Sequence, residues 1–379
     1  MVLPGYHEAL IRRGKTLQVS HVPTELPGAG GLLVALSYVG VCGTDLQILN
    51  GSRPDTAEIL GHEGVGVVVK TGGAETIPVG EHVVFNPAAQ LYDGRILGHN
   101  TPGLFQKYIT VVPRALEDGL VMSAKDCPSP LCGTLVEPLA CVIYAHELVS
   151  NRVPDLHTAV VFGAGPVGLL ATIWLRSLGV STFLIHPDPE RLKTAIRLEI
   201  ANAAAMLTVS DNVAEQILAR NSGHPVDAVF ICTTRAGAPS ALTQAIQIVK
   251  HGGCIDLITN YPETEVPRDV SAYALRTIRA ANVCGIPREG AYLDTAISGR
   301  RIAFASHRGT SHAHLQKSVY ALSHDVSAYT RIITHVMSLP EAAGAIQALS
   351  QSRNHTILGR DCIKLALDMT GSHSDSRPS

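Results

Sequence analysis

The chain has 379 residues, 46% of them hydrophobic and 16% charged, with a formal net charge of −2. That length allows two domains with a real core each. The balance excludes a disordered chain, and the lack of a long basic run offers nothing to a nucleic-acid backbone or an anionic membrane.

The start, Met1 to Glu8, lacks the basic residues and continuous apolar stretch of a secretory signal. The apolar stretches read as short and broken by Gly or Pro, so no membrane span is expected. Eight cysteines spread from Cys42 to Cys362 read as reduced thiols, with room for one metal ligand, and not as a disulfide framework. A cytoplasmic location is the default expectation.

No internal repeat is evident. Residues 1–150 are rich in Gly, Val and Pro, and runs such as Gly31-Leu32-Leu33-Val34-Ala35-Leu36 read as strands of a compact β domain. After about residue 155 strand and helix alternate. Thr158–Phe162 reads as a buried strand, Pro166–Leu178 as a helix, Thr182–Ile185 as a strand, and the stretch through Glu190, Arg191 and Leu192 as a helix. Val226–Cys232 and Cys254–Ile258 follow as strands, with a helix over Ser240–Val249 between them. That rhythm predicts a doubly wound parallel sheet. The stretch from Gly371 to Ser379 has nothing apolar to bury and is expected to be a disordered tail.

The first strand of the alternating region runs into Gly163-Ala164-Gly165-Pro166-Val167-Gly168, a G-x-G-x-x-G turn. Its first Gly permits the tight turn, the second lets backbone approach a pyrophosphate, and the third lets helix pack on strand. The anion would sit on the helix N-terminus. NAD-binding enzymes place an acid at the end of the second strand to hold the ribose 2′-hydroxyl. Here His186 stands at that end, with Asp188 two residues on and Arg191 on the next helix. Either the missing acid admits the 2′-phosphate of NADP, or Asp188 reaches the ribose from a shifted loop. A nicotinamide dinucleotide is expected, and NAD and NADP stay open.

Three segments of the first half carry donors that zinc accepts: Gly40-Val41-Cys42-Gly43-Thr44-Asp45, Leu60-Gly61-His62-Glu63-Gly64-Val65-Gly66 and Leu135-Val136-Glu137-Pro138-Leu139-Ala140. Singly, each has a bland reading: Cys42 a small buried hydrophobe, His62 a satisfied core residue, Glu137 a helix start. Together with the nucleotide turn, and with Val79–Val83, Gly103–Tyr108 and Ile332–His335, they resemble the zinc-containing medium-chain dehydrogenase/reductase family over nearly the whole chain. The Glu-Pro-Leu segment is similar to the sorbitol and polyol dehydrogenase branch.

That resemblance implies an α/β protein: a GroES-like β-rich catalytic domain at 1–154 and 306–379, with a Rossmann dinucleotide-binding domain at 155–305. It implies Cys42 and His62 as zinc ligands, and Glu63 and Glu137 as ligands or alternating near-ligands. Thr44 would bond the substrate oxygen and start a proton relay, and Asp45 would steady the site. A homodimer or homotetramer acting on a small molecule is implied as well. The stretch from Asn86 to Pro102 lacks the four cysteines that hold a structural zinc in many relatives, so one catalytic zinc is expected and no structural one. Gln47 stands where some relatives carry a relay histidine, five positions after Cys42.

The chemistry implied is hydride transfer between NAD(P) and a secondary alcohol or ketone, with a polyol, sugar or cyclitol-type substrate. Two readings compete: a zinc-free quinone-oxidoreductase-like enzyme on the same fold, and a non-catalytic nucleotide sensor. Loops Asn50–Arg53 and Ser306–Arg308 are candidates for reading the substrate.

Overall fold

The structure is a computed structural model, and it describes residues 3–73, 77–209, 212–259, 261, 270–352 and 355–371. Two units emerge from the contacts: residues 1–137 with 315–379, and residues 138–314.

The first unit is built from both ends of the chain because a C-terminal strand joins an N-terminal one. Lys364–Asp368 pairs antiparallel with Leu32–Gly40, which pairs on its other side with Glu63–Thr71. The sheet runs in the order Ile333–Ser338, Lys364–Asp368, Leu32–Gly40, Glu63–Thr71, His82–Phe85, Val121–Ser123, and Tyr108–Val111 also pairs with Leu32–Gly40. The predicted Gly31–Leu36 run begins the central strand. It is buried along almost its whole length, which explains why its apolar residues run on and do not alternate strictly. A hairpin, Tyr6–Arg13 with Thr16–Pro23, adds Leu10, Ile11 and Leu17 to the core.

The second unit is the predicted doubly wound sheet. Its strand order is Met206–Thr208, Ser181–His186, Thr158–Phe162, Val226–Ile231, Val249–Leu257, Arg300–Ala305, all parallel, with Leu293–Ile297 antiparallel at the edge. The fully buried run Val226–Ile231 is what a strand covered on both faces requires. Helices Pro166–Ser177, Pro189–Arg197 and Ala238–Ile248 fall where the apolar periodicity places them. Strand order reverses around Thr158–Phe162, so the crevice for a ligand opens at the carboxyl ends of that strand and its neighbour.

By contacts the units divide at 137/138 and 314/315, whereas the sequence reading places the domain limits at 154 and 306. The helix Val136–Ser150 and the segment after Ala305 pack within the nucleotide unit: Tyr292 donates to the Leu148 carbonyl, Tyr144 stacks on His314, and Arg308 exchanges backbone bonds with Asn282 and Cys284. The stretch Leu131–Ser150 is, by length and composition, apolar enough to cross a membrane, against the expectation that no run approaches a span. Gly133 and Pro138 hide its continuity in the sequence, and 78% of its apolar window is buried, as in a core helix. The expected tail beyond Gly371 lies outside the described residues.

Candidate metal centre and nucleotide site

Cys42 ends the approach from the central strand and caps the helix Gly43–Asn50. Asp45, in the first turn of that helix, reaches back. Its Oδ2 accepts from the Cys42 backbone N–H at 2.8 Å, its Oδ1 accepts from the Gly61 N–H at 3.1 Å, and Nδ1 of His62 stands 3.5 Å from Oδ1. One carboxylate thus fixes the backbone that carries two donors and lies against the ring of one of them. Gly61 has φ +89°, and a Cβ there would fall 2.4 Å from the Phe105 ring, so the turn that delivers His62 admits only glycine.

Among the described residues, the donor atoms of Cys42, His62 and Glu63 lie within 4.8 Å of one another. Burial and the neighbouring Glu63 push the Cys42 thiol up. Burial alone would hold His62 neutral, but Asp45 and Cys42 overcome it and hold the imidazole well above its usual range. Soft, borderline and hard donors brought together in this way are the set that zinc accepts.

Glu63 has a partner that the sequence gives no sign of. The Nζ of Lys364 donates to its Oε2, and both side chains are almost wholly buried. Burial pulls the lysine down, yet Glu63 beside it holds its pKa above the ordinary value, so the lysine stays charged. Gly40 makes room: a Cβ there would lie 2.8 Å from Lys364 Cε and 2.9 Å from Glu63 Oε2.

Glu137 is not among the three residues whose donor atoms all lie within 4.8 Å of one another. It sits in the first turn of the helix Val136–Ser150, which continues directly from the turn Leu131–Leu135. Thr44 lies in the first turn of the Cys42-capped helix and is partly exposed. A further histidine, absent from the sequence reading, lies close by: the His99 ring is 4.9 Å from that of His62, tilted by 51°. Its Nδ1 donates to the Leu97 carbonyl at 3.0 Å, and burial with His62 beside it pushes its pKa down to about 4.

In the second unit the glycine turn behaves as its spacing predicts. Gly163 has φ +110°, and a Cβ would lie 2.5 Å from the Cys232 carbonyl; at Gly168 it would lie 1.8 Å from the Gly163 carbonyl. At Gly165 an added Cβ meets nothing within 4 Å, so the constraint there comes from a ligand's space and not from the protein. Pro166 and Val167 open the helix Pro166–Ser177 that Gly165 caps. At the end of the second strand the Asp188 N–H donates to Nδ1 of His186 at 3.1 Å, and Oδ1 of Asp188 accepts from the Glu190 N–H at 2.9 Å as a helix cap. Arg191 is buried.

Residues 28–118 match the alcohol dehydrogenase GroES-like domain, and residues 166–297 match the zinc-binding dehydrogenase domain. The chain is 31% identical over 200 residues to 2-dehydro-3-deoxy-L-galactonate 5-dehydrogenase of Pseudoalteromonas atlantica, a match spanning 48% of this chain and 57% of that enzyme. It is 30% identical over 260 residues to (R,R)-butanediol dehydrogenase of Bacillus subtilis, covering 62% of this chain and 71% of the relative. The chain belongs to the zinc-containing medium-chain alcohol dehydrogenase family. A zinc-binding dehydrogenase from Sinorhizobium meliloti 1021, solved bound to NADP, shares the fold with a TM-score of 0.70 at 21% identity, over 96% of this chain and all of that one. This dehydrogenase is therefore an NAD(P)-linked alcohol oxidoreductase with GroES-like and Rossmann domains. Lys364 and His99 could be found only through the fold of this dehydrogenase, because neither lies near another donor in sequence.

Proposed function

We propose that this dehydrogenase holds one catalytic zinc on Cys42, His62 and Glu63, holds no structural zinc, and oxidises a secondary alcohol of a polyol, sugar or cyclitol. The observation that carries the reading is the half-buried thiol with the buried imidazole and carboxylate, all within 4.8 Å. Bound there, zinc supplies Lewis acidity that lowers the pKa of a substrate hydroxyl. Asp45 keeps His62 oriented, as the partner of a metal-binding imidazole does. Lys364 occupies Oε2 of Glu63 and leaves that carboxylate its second oxygen. Thr44 holds the proton of the substrate hydroxyl. Gln47 passes no proton as a histidine would.

Hydride acceptance belongs to the dinucleotide, whose pyrophosphate the turn Gly163–Gly168 seats. With His186 at the end of the second strand and Asp188 committed to its helix cap, the ribose end accommodates NADP as well as NAD. A polyol-type substrate is supported by the diol and sugar-acid dehydrogenases among the relatives.

Metal analysis with activity assays tests the reading. The wild type is expected to carry about one zinc per chain. Cys42→Ser and His62→Ala should lose it, together with at least about a hundredfold in turnover, while the fold survives. Full zinc occupancy and normal turnover in either variant would overturn the assignment.

A further inference from the structure

The loop between the helix Gly43–Asn50 and Glu63 carries an ion pair that the mechanism does not use. Arg53 Nε donates to Asp55 Oδ2 at 2.8 Å, and an Nη reaches Oδ1 at 3.4 Å; the two side chains are 24% and 16% exposed. The pair is not what fastens the loop. Arg12 does that, donating to the carbonyls of Asp55 at 3.1 Å and Ala57 at 3.0 Å, and the Arg53 N–H bonds the Gln47 carbonyl. The Ala57 N–H in turn bonds the His99 carbonyl at 2.8 Å, so this loop and the loop carrying His99 are clamped together. His99 spans from there to the metal donors, its ring 4.9 Å from that of His62. A half-buried charged pair thus sits on a loop whose backbone is tied to that of His99, the residue whose ring faces His62.

We infer that Arg53, Asp55 and His99 form the subsite that reads substrate hydroxyls beside the reacting carbon, selecting a neutral vicinal diol or polyol over a carboxylate-bearing substrate. The tautomer and the charge balance carry the choice. Because the Leu97 carbonyl only accepts, Nδ1 of His99 bears the hydrogen. Arg53 is already compensated by both oxygens of Asp55, so a carboxylate arriving here would meet an anion as closely as a cation. A hydroxyl, donor and acceptor at once, can bridge carboxylate and guanidinium without adding charge.

The subsite rests on the metal-centre reading above, and the experiment separates the two. Zinc-loaded enzyme is assayed with sorbitol, 2,3-butanediol, 2-butanol and a sugar acid, for the wild type, Asp55→Asn and His99→Gln. Binding of sorbitol to the complex with reduced cofactor is measured by calorimetry alongside. For both variants the expected result is a KM for sorbitol and butanediol raised about tenfold, a similar loss of calorimetric affinity, and a KM for 2-butanol moved less than twofold. Should Asp55→Asn fail to fold, His99→Gln and Arg53→Met carry the same comparison. Equal KM changes for diol and mono-alcohol, unchanged sorbitol affinity, or wild-type preference for the sugar acid abolished by Arg53→Met would overturn the subsite alone. A wild type that oxidises none of the alcohols would instead overturn the proposed function.

Discussion

The two units treat buried charge in opposite ways. In the catalytic unit Asp45, His62, Glu63 and Lys364 are all nearly inaccessible, and each lies against an opposite charge: Asp45 against His62, Glu63 against Lys364. Deep in the nucleotide unit Asp256 and His307 are as thoroughly buried, yet neither carboxylate oxygen of Asp256 nor Nδ1 of His307 has a hydrogen-bond partner among the described residues. Burial pushes the Asp256 carboxyl up to about 8, and burial with Arg279 and His314 nearby holds His307 well below its usual range. Both therefore sit neutral at pH 7. An ion pair costs more to bury than an apolar pair, and a fold keeps one where position matters more than stability. Around Cys42 position matters, because three donors must face one point. Under the parallel sheet it does not, and the proton is the cheaper counter-ion.

The largest effect is expected where a retained pair is broken. Lys364→Met should leave Glu63 buried without its partner and cost about 3–5 kcal/mol. Chemical unfolding of the metal-free protein measures this directly. Lys364→Arg keeps the charge and should recover most of the loss, though the larger head must fit beside Gly40. A metal-free Lys364→Met as stable as the wild type would show that the pair is ornamental and that the contrast between the units fails.

The neutralised carboxyl makes a smaller prediction with a defined pH window. The folded pKa of Asp256 is about 8 and the ordinary value 3.8. Between about pH 4 and pH 8 the native state therefore holds one proton that the unfolded state has released. Stability contributed by this group is full below about pH 4 and drains away as pH rises to 8, at up to about 1.4 kcal/mol per unit. Asp256→Asn, uncharged throughout, should flatten that slope in melting temperatures taken from pH 5 to 8 and be the more stable of the two at pH 8. An unaltered slope in the variant would remove Asp256 as its source.

How much of this was legible follows from how local each signal is. The strands and helices of the nucleotide unit could be read because an uninterrupted buried strand such as Val226–Ile231 and a capped helix such as Pro166–Ser177 write their period into neighbouring residues. Cys42, His62 and Glu63 could be read as donors because each comes with a glycine-bearing turn. Lys364 could not: it lies 301 residues from Glu63, and only the pairing of Lys364–Asp368 with the central strand brings it there. A lone lysine in an apolar run reads as a strand-edge charge. His99 was hidden likewise, since a histidine in a polar loop says nothing of the ring it will face. The packing of Val136–Ser150 against Tyr292 and His314, far along the chain, is also invisible in the sequence.

The smallest expected effect belongs to Glu137, which tests whether the donor group in the catalytic unit is closed. The Glu-Pro-Leu motif resembles a metal-ligand segment, but the carboxylate stands in the first turn of its helix and outside the group formed by Cys42, His62 and Glu63. If its task is structural only, Glu137→Ala should cost about 1 kcal/mol or less and leave zinc content near one per chain. A ligand behaves differently. Its loss would lower zinc content and shift the metal's dissociation in chelator competition, and the stability change would vanish once metal is removed. Measuring Glu137→Ala with and without zinc therefore separates the two: a small loss in both states keeps the trio as the complete protein contribution, whereas a loss confined to the zinc-loaded state makes Glu137 its fourth member.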